Sequence, residues 1–155
     1  MTLGTAPSVL DPSLYIPELK TRRKDAALAD LVSLAHQAGV VRGPELLREL
    51  LVMRERLGST AIGKGVALPH ARSLTVNRPQ LVVARSRRGI DWDAPDELPV
   101  TLVLLTLTPG EWGEEAHHAF LGRAAAVARL QRNRQRLLDA ASFDDVASVL
   151  REVGR

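Results

Sequence analysis

The chain has no cysteine, only 3% aromatic residues and no long apolar run. Without thiols there is neither a disulfide scaffold nor a thiolate metal site. With so few aromatics, the core must be built from leucine, valine and alanine. No stretch approaches the roughly 18 consecutive apolar residues that a membrane span needs. Residues 1–15 lack the basic start and apolar centre of a secretion signal, so no membrane insertion and a cytoplasmic location are expected. Internal repeats and low-complexity segments are also missing. Charge is nearly balanced, 21 basic against 18 acidic residues, a formal net charge of +3, although the isoelectric point is about 9.9. The densest basic stretches, residues 20–24 and 129–136, lie on or beside expected helices. They carry almost no aromatics to stack on bases, and read as solvated helix surface rather than a nucleic-acid interface. A basic nucleic-acid-binding domain is the competing class, and it predicts steep salt dependence of binding.

What is present describes one globular domain. At 155 residues, with 45% hydrophobic and 25% charged content, the chain can bury roughly two thirds of its unfolded surface. Residues 1–12 read as a flexible polar tail and residues 13–155 as the domain. Leu28, Leu31, Val32 and Ala35 recur at helical spacing, predicting a helix over residues 25–38 that Gly39 stops. Pro44 opens a second helix whose stripe is Leu47, Leu50 and Leu51, with Arg54 as the next member. An inward guanidinium needs an anionic partner; otherwise Arg54 reaches water from the rim of the stripe.

Beyond Gly58 the pattern turns extended. Residues 66–68, 81–85 and 100–107 are strand candidates, the last apolar almost throughout, as in a strand covered on both faces. Residues 14–16 form a possible edge strand before Pro17, and residues 89–92 a short fourth strand or hairpin edge. Helices follow over residues 114–130, 132–141 and 143–152, the last capped by Ser142. Helices, then strands, then helices imply an α/β or α+β sandwich with helices over a mixed sheet.

The run from Gly58 to Pro69 ends directly on His70 and places one imidazole after a short apolar segment. In a chain without cysteine, His70 is the best-placed nucleophile, because a neutral imidazole keeps a lone pair at cellular pH. Phosphoryl transfer needs such a nucleophile, donors for the phosphoryl oxygens and partial exclusion of water. The Ser59 and Thr60 hydroxyls, the backbone N–H groups from Gly63 to Gly65, and Arg72 are candidate donors. An isolated histidine is more commonly just a satisfied side chain, so a second group is needed. His117 supplies one. With Phe120, Leu121, Ala124 and Ala128 it follows buried-face spacing on the helix after Glu114, whereas His118 points elsewhere. It can orient the nucleophile or donate to the phosphoryl group; alternatively it is a helix-end histidine bonded to a carbonyl. A His-His-carboxylate metal set with Asp91 or Asp93 matches no compact ligand motif, and no metal is expected.

These residues closely resemble a known signature. Arg54-Glu55, the run from Gly58 to Gly63, and Gly65-Val66-Ala67-Leu68-Pro69-His70-Ala71-Arg72 are similar to fructose/mannitol-type enzyme IIA domains of the phosphoenolpyruvate-dependent sugar phosphotransferase system. The likeness continues through Asn77-Arg78-Pro79 and the segment from Gly89 to Pro95, and spans about residues 14–152. It implies a mixed β-sheet flanked by helices on both faces, a mannitol-type enzyme IIA-like sandwich. It also implies that His70 accepts a phosphoryl group from the phosphocarrier protein HPr and passes it to a IIB component. Arg54 then balances charge, His117 orients or stabilises, and no cofactor is required. A nitrogen-regulatory branch of the family, in which phosphorylation controls a regulatory target protein, is the alternative role.

Overall fold

The computed structural model describes residues 9–154. Most of the expected tail, residues 1–8, lies outside that range. The described end of it is held: the Val9 carbonyl accepts from the Leu81 N–H and the Gln80 amide, at 2.8 and 2.7 Å. Asp11 then caps a 3-10 turn, Pro12–Leu14, by accepting the Ser13 N–H.

The elements follow as β1 (Tyr15–Ile16), α1 (Lys24–Gln37), α2 (Pro44–Leu57), β2 (Ala61–Gly63), β3 (Val66–Ala67) and β4 (His70–Ser73). Then come β5 (Gln80–Ile90), β6 (Val100–Pro109), α3 (Glu114–Arg129), α4 (Gln131–Asp139) and α5 (Phe143–Leu150). They form one six-stranded mixed sheet ordered β1-β5-β6-β3-β2, with β4 also paired to β6. Strands β5 and β6 are the antiparallel centre. Along the other edge of β6, β3 and β4 run parallel and end to end: Val66 faces Leu102, and His70 faces Thr106.

Both faces of the sheet are covered. Val82, Ala84, Val103, Leu105 and Leu107 pack with α1, α2 and Trp92, while Leu81, Val83, Leu102 and Leu104 pack with Phe120 and α3 to α5. The alternation follows from the two-residue period of a strand, and it makes β5 and β6 apolar on both sides. Ser142 accepts the Asp145 N–H and caps α5, as expected.

Two expectations are corrected. Strands β2 and β4 do not stand out in the sequence, and β5 absorbs both the residue 81–85 strand and the start of the 89–92 segment. Strands of two to four residues carry too few alternations to register; pairing with β6 creates them. On α2 the buried residues are Leu47, Leu51 and Glu55, spaced by four, while Leu50 is exposed and Arg54 sits at the rim. Residues 20–22 lie in the loop before α1, beside the helix as expected.

Candidate active site

His70 opens the edge strand β4, and the backbone around it is fixed at two points. The Leu68 N–H donates to the Thr60 carbonyl at 3.0 Å, and the Thr106 N–H donates to the Pro69 carbonyl at 3.0 Å. The ring's Nδ1 then lies 3.0 Å from the Leu68 carbonyl. A carbonyl only accepts, so Nδ1 carries the ring proton and Nε2 keeps the lone pair. The residue is half-buried.

Strand register decides what surrounds it. His70 and Arg72 face Thr106 and Thr108 across β4 and β6, on the same side of the sheet as Leu102 and Leu104 and hence the α3 side. His117 closes the first turn of α3, its N–H donating to the Gly113 carbonyl at 3.1 Å. Its Nδ1 is 2.7 Å from the Thr108 hydroxyl. The His70 and His117 ring centroids are 5.6 Å apart. His117 is 5% exposed, and its pKa is depressed to about 4, first by burial and then by the charges of His70, His118 and Arg72, against a small opposing pull from Glu114. Taking a cation out of water is costly, so His117 is neutral at cellular pH. His118 is exposed and lies edge-on to His117.

The structure brings His70, His117 and Arg72 together, and places the other expected residues differently. Arg72 is exposed and donates to the Trp112 carbonyl at 2.8 Å. Arg54, reaching from the opposite face of the sheet, donates to the Gly58 carbonyl at 2.7 Å. That carbonyl belongs to the segment leading to Thr60 and thence to Leu68. The Ser59 hydroxyl is engaged by the Trp92 carbonyl at 2.8 Å and the Ala61 N–H at 3.1 Å. The Thr60 hydroxyl donates to the Glu55 carboxylate and accepts from the Trp92 indole. Neither hydroxyl is free to hold a phosphoryl oxygen.

Gly63 and Gly65 are not brought to His70. They bound the β2–β3 hairpin, where the Lys64 N–H is held by Asp96 and the Gly65 carbonyl accepts from Thr101 and Leu102. Val66 pairs four residues up β6 from the partner of His70, roughly 13 Å along a strand. Their positive φ values, +90° and +79°, belong to a tight turn rather than an anion cradle.

Three residues of this region were given no role by the sequence. Glu55 is 7% exposed and binds the Thr60 N–H at 3.0 Å, the Thr60 hydroxyl and the Lys24 ammonium at 3.3 Å. Its four-residue spacing from Leu51 was the available signal. Thr108 holds His117, and Thr106, directly opposite His70, has a buried hydroxyl with no hydrogen-bond partner among the described residues. Thr106 and Thr108, following the apolar run Leu102–Leu105, were the signal there. Among the described residues, no group of three or more histidines, aspartates or glutamates is placed to hold a metal ion. The Asp91 backbone forms an isolated parallel β-bridge with Arg23. No described helix is long and apolar enough to cross a membrane.

Comparison with known proteins agrees with this geometry. The family model described as "Phosphoenolpyruvate-dependent sugar phosphotransferase system, EIIA 2" matches residues 8–153. The PTS system fructose-specific EIIA component of Haloferax volcanii is 35% identical over 130 residues, 84% of each chain. A nitrogen regulatory protein of Bradyrhizobium diazoefficiens is 34% identical over 139 residues, 90% of each chain. Among solved structures, the nitrogen regulatory protein IIA-Ntr from Neisseria meningitidis superposes with a TM-score of 0.84 at 28% identity, covering 92% of this chain and 96% of that one. With its mixed sheet, two-sided helical cover and motif through His70, this chain belongs to the type 2 EIIA family of the phosphoenolpyruvate-dependent sugar phosphotransferase system.

Proposed function

We propose that the protein is a cytoplasmic phosphohistidine carrier. The Nε2 lone pair of His70 attacks the phosphorus of a phosphoryl group on HPr; the new N–P bond forms as the donor's bond to phosphorus breaks. In the second half-reaction a nucleophile on a IIB component of the fructose/mannitol class takes the group, and the electron pair returns to Nε2. One observation carries this reading: the Leu68 carbonyl fixes the proton on Nδ1, leaving the other nitrogen of a half-buried ring as the base. A neutral His117 beside it can donate from Nε2 when the Thr108 hydroxyl donates to its Nδ1. Arg72 and Arg54 add positive potential for an incoming phosphoryl group. No cofactor takes part.

The regulatory role is the second reading, favoured by the likeness to nitrogen regulatory proteins in both sequence and fold. There the phosphoryl group on His70 alters binding of a target protein, with no onward transfer. Incubation with phosphoenolpyruvate, enzyme I and HPr should add one phosphate by intact mass, and His70→Ala should abolish that gain. Full labelling of the variant would overturn the assignment. Loss of the label to a cognate IIB supports transport; retention supports regulation.

A further inference from the structure

Strand β5 does not run regularly to its end. Arg85 faces Leu102 and Ile90 faces Val100, so five steps along β5 answer only two along β6. The surplus residues leave the ladder as a bulge, a device that re-aims side chains. Gly89 makes it possible at φ +86°, where an added Cβ would come within 2.6 Å of Pro99. The Ser86 hydroxyl accepts the Gly89 N–H at 3.1 Å and closes the bulge. As a result Arg87 and Arg88, neighbours in sequence, are both exposed instead of alternating.

The opposite wall is the loop over residues 17–23, tied to the same strand at several points. The Leu19 N–H donates to the Arg85 carbonyl at 2.7 Å, and the Asp91 N–H to the Arg22 carbonyl at 3.1 Å. Between these ties lies a groove of about 490 Å³ lined by Glu18, Lys20, Thr21, Arg22, Arg87 and Arg88 among others. The one carboxylate there, Glu18, is occupied by the Arg87 N–H at 3.0 and 3.2 Å. No acceptor among the described residues meets the side chains of Lys20, Arg22, Arg87 or Arg88; the one ion pair among those residues is Lys24 with Glu55, outside the groove. The Thr21 hydroxyl is shielded from solvent and has no partner either. Arg85 differs, because it is engaged by the carbonyls of Leu137, Leu138 and Ala140 and serves the fold.

We propose that this groove binds a small polyphosphorylated anion, a ligand carrying two or more linked phosphates. Four cations held on two walls repel one another unless an anion of comparable charge lies between them. Guanidinium forks match phosphate oxygens, and Thr21, which lines the groove, carries an unpartnered hydroxyl that a change of rotamer turns toward the ligand. The volume suits a small molecule, and no exposed aromatic lines the groove to stack nucleic-acid bases. Leu102, opposite Arg85, is four residues along β6 from Thr106, opposite His70. The groove is thus at least about 13 Å along the sheet from the proposed phosphoryl acceptor, and both can be occupied together.

Titration calorimetry with inorganic triphosphate at low and moderate salt tests the proposal on the full chain. Saturable one-to-one binding is expected. It should weaken by about tenfold or more in the Arg87→Ser/Arg88→Ser pair, which loses two charge-assisted partners. Thr21→Val should weaken it by about threefold, while Arg132→Ser/Arg136→Ser, removing the same charge from α4, should leave it within about twofold. Absence of saturable binding, or equal losses in both arginine pairs, overturns the proposal. Tighter binding of a single-stranded oligonucleotide, lost in the same groove pair, overturns it in favour of nucleic acid. Neither result affects phosphorylation of His70.

Discussion

Two segments hang on the same strand, β6, and they treat their polar groups in opposite ways. From Gly58 through the β2–β3 hairpin, almost every polar group has an internal partner: Arg54 to Gly58, Ser59 to Trp92, Thr60 to Glu55, Lys64 to Asp96. From His70 to Thr108 groups are left over. Nε2 of His70 keeps its lone pair, and the Thr106 hydroxyl has no partner among the described residues. The first segment holds the second in place, and the proposed chemistry lies where bonding is incomplete. Glycines, which drew attention to the hairpin, mark a turn; the site is marked by a carbonyl and two threonines.

If that contrast is right, changes in the first segment cost stability and changes in the second alter chemistry. Glu55→Ala should have the largest effect, since it strands the Thr60 N–H, the Thr60 hydroxyl and the Lys24 ammonium. A loss of about 2–4 kcal/mol is expected, read in thermal unfolding as a drop of about 6–12 °C. A loss below about 1 kcal/mol would break the comparison.

His117 gives the next effect, through pH. Its folded pKa of about 4 lies below the ordinary 6.5, so between these values the unfolded chain binds more protons. Stability is full above about pH 6.5 and falls as pH drops toward 4, by at most about 1.4 kcal/mol per pH unit from this group. Urea unfolding between pH 4 and 7 should show that slope, and His117→Phe should flatten it. A parallel profile in the variant would remove His117 from the neutral role.

Gly65→Ala sharpens the contrast from the hairpin side. At φ +79°, with the added Cβ 3.0 Å from the Thr101 hydroxyl, it should cost about 1–2 kcal/mol of stability while the rate of His70 phosphorylation is unchanged. A tenfold slower rate would return the hairpin to the site. Thr106→Val should have the smallest effect. Removing a buried hydroxyl without a partner is neutral or stabilising, within about 1 kcal/mol, and a fall in unfolding midpoint beyond that would show a bond in solution.

Much of this was legible in order. The stripe from Leu28 to Ala35 locates α1 because four apolar residues at helical spacing fit neither the two-residue period of a strand nor a polar loop. The apolar run from Val100 announces a strand covered on both faces, and Pro69-His70 points to the proposed nucleophile. Arg54 was harder. Leu50 and Leu51 both fit the α2 stripe, and the choice between them decides whether residue 54 or 55 turns inward. Packing against α1 and the sheet selects Leu47 and Leu51, sending the carboxylate inward and the guanidinium to the rim. The phase of a helix is a tertiary property whenever two stripes compete.

By itself the sequence determined the element order, the two-sided apolar sheet, the histidine at position 70 and its helical companion at 117, because periodicity and composition are local and additive. The tertiary structure alone decided that β4 exists, that Thr106 lies opposite His70 and Thr108 bonds His117, and that Ser59, Thr60 and the hairpin glycines serve the scaffold. Those outcomes depend on strand register and on which polar group reaches a partner first. No window of neighbouring residues contains that information.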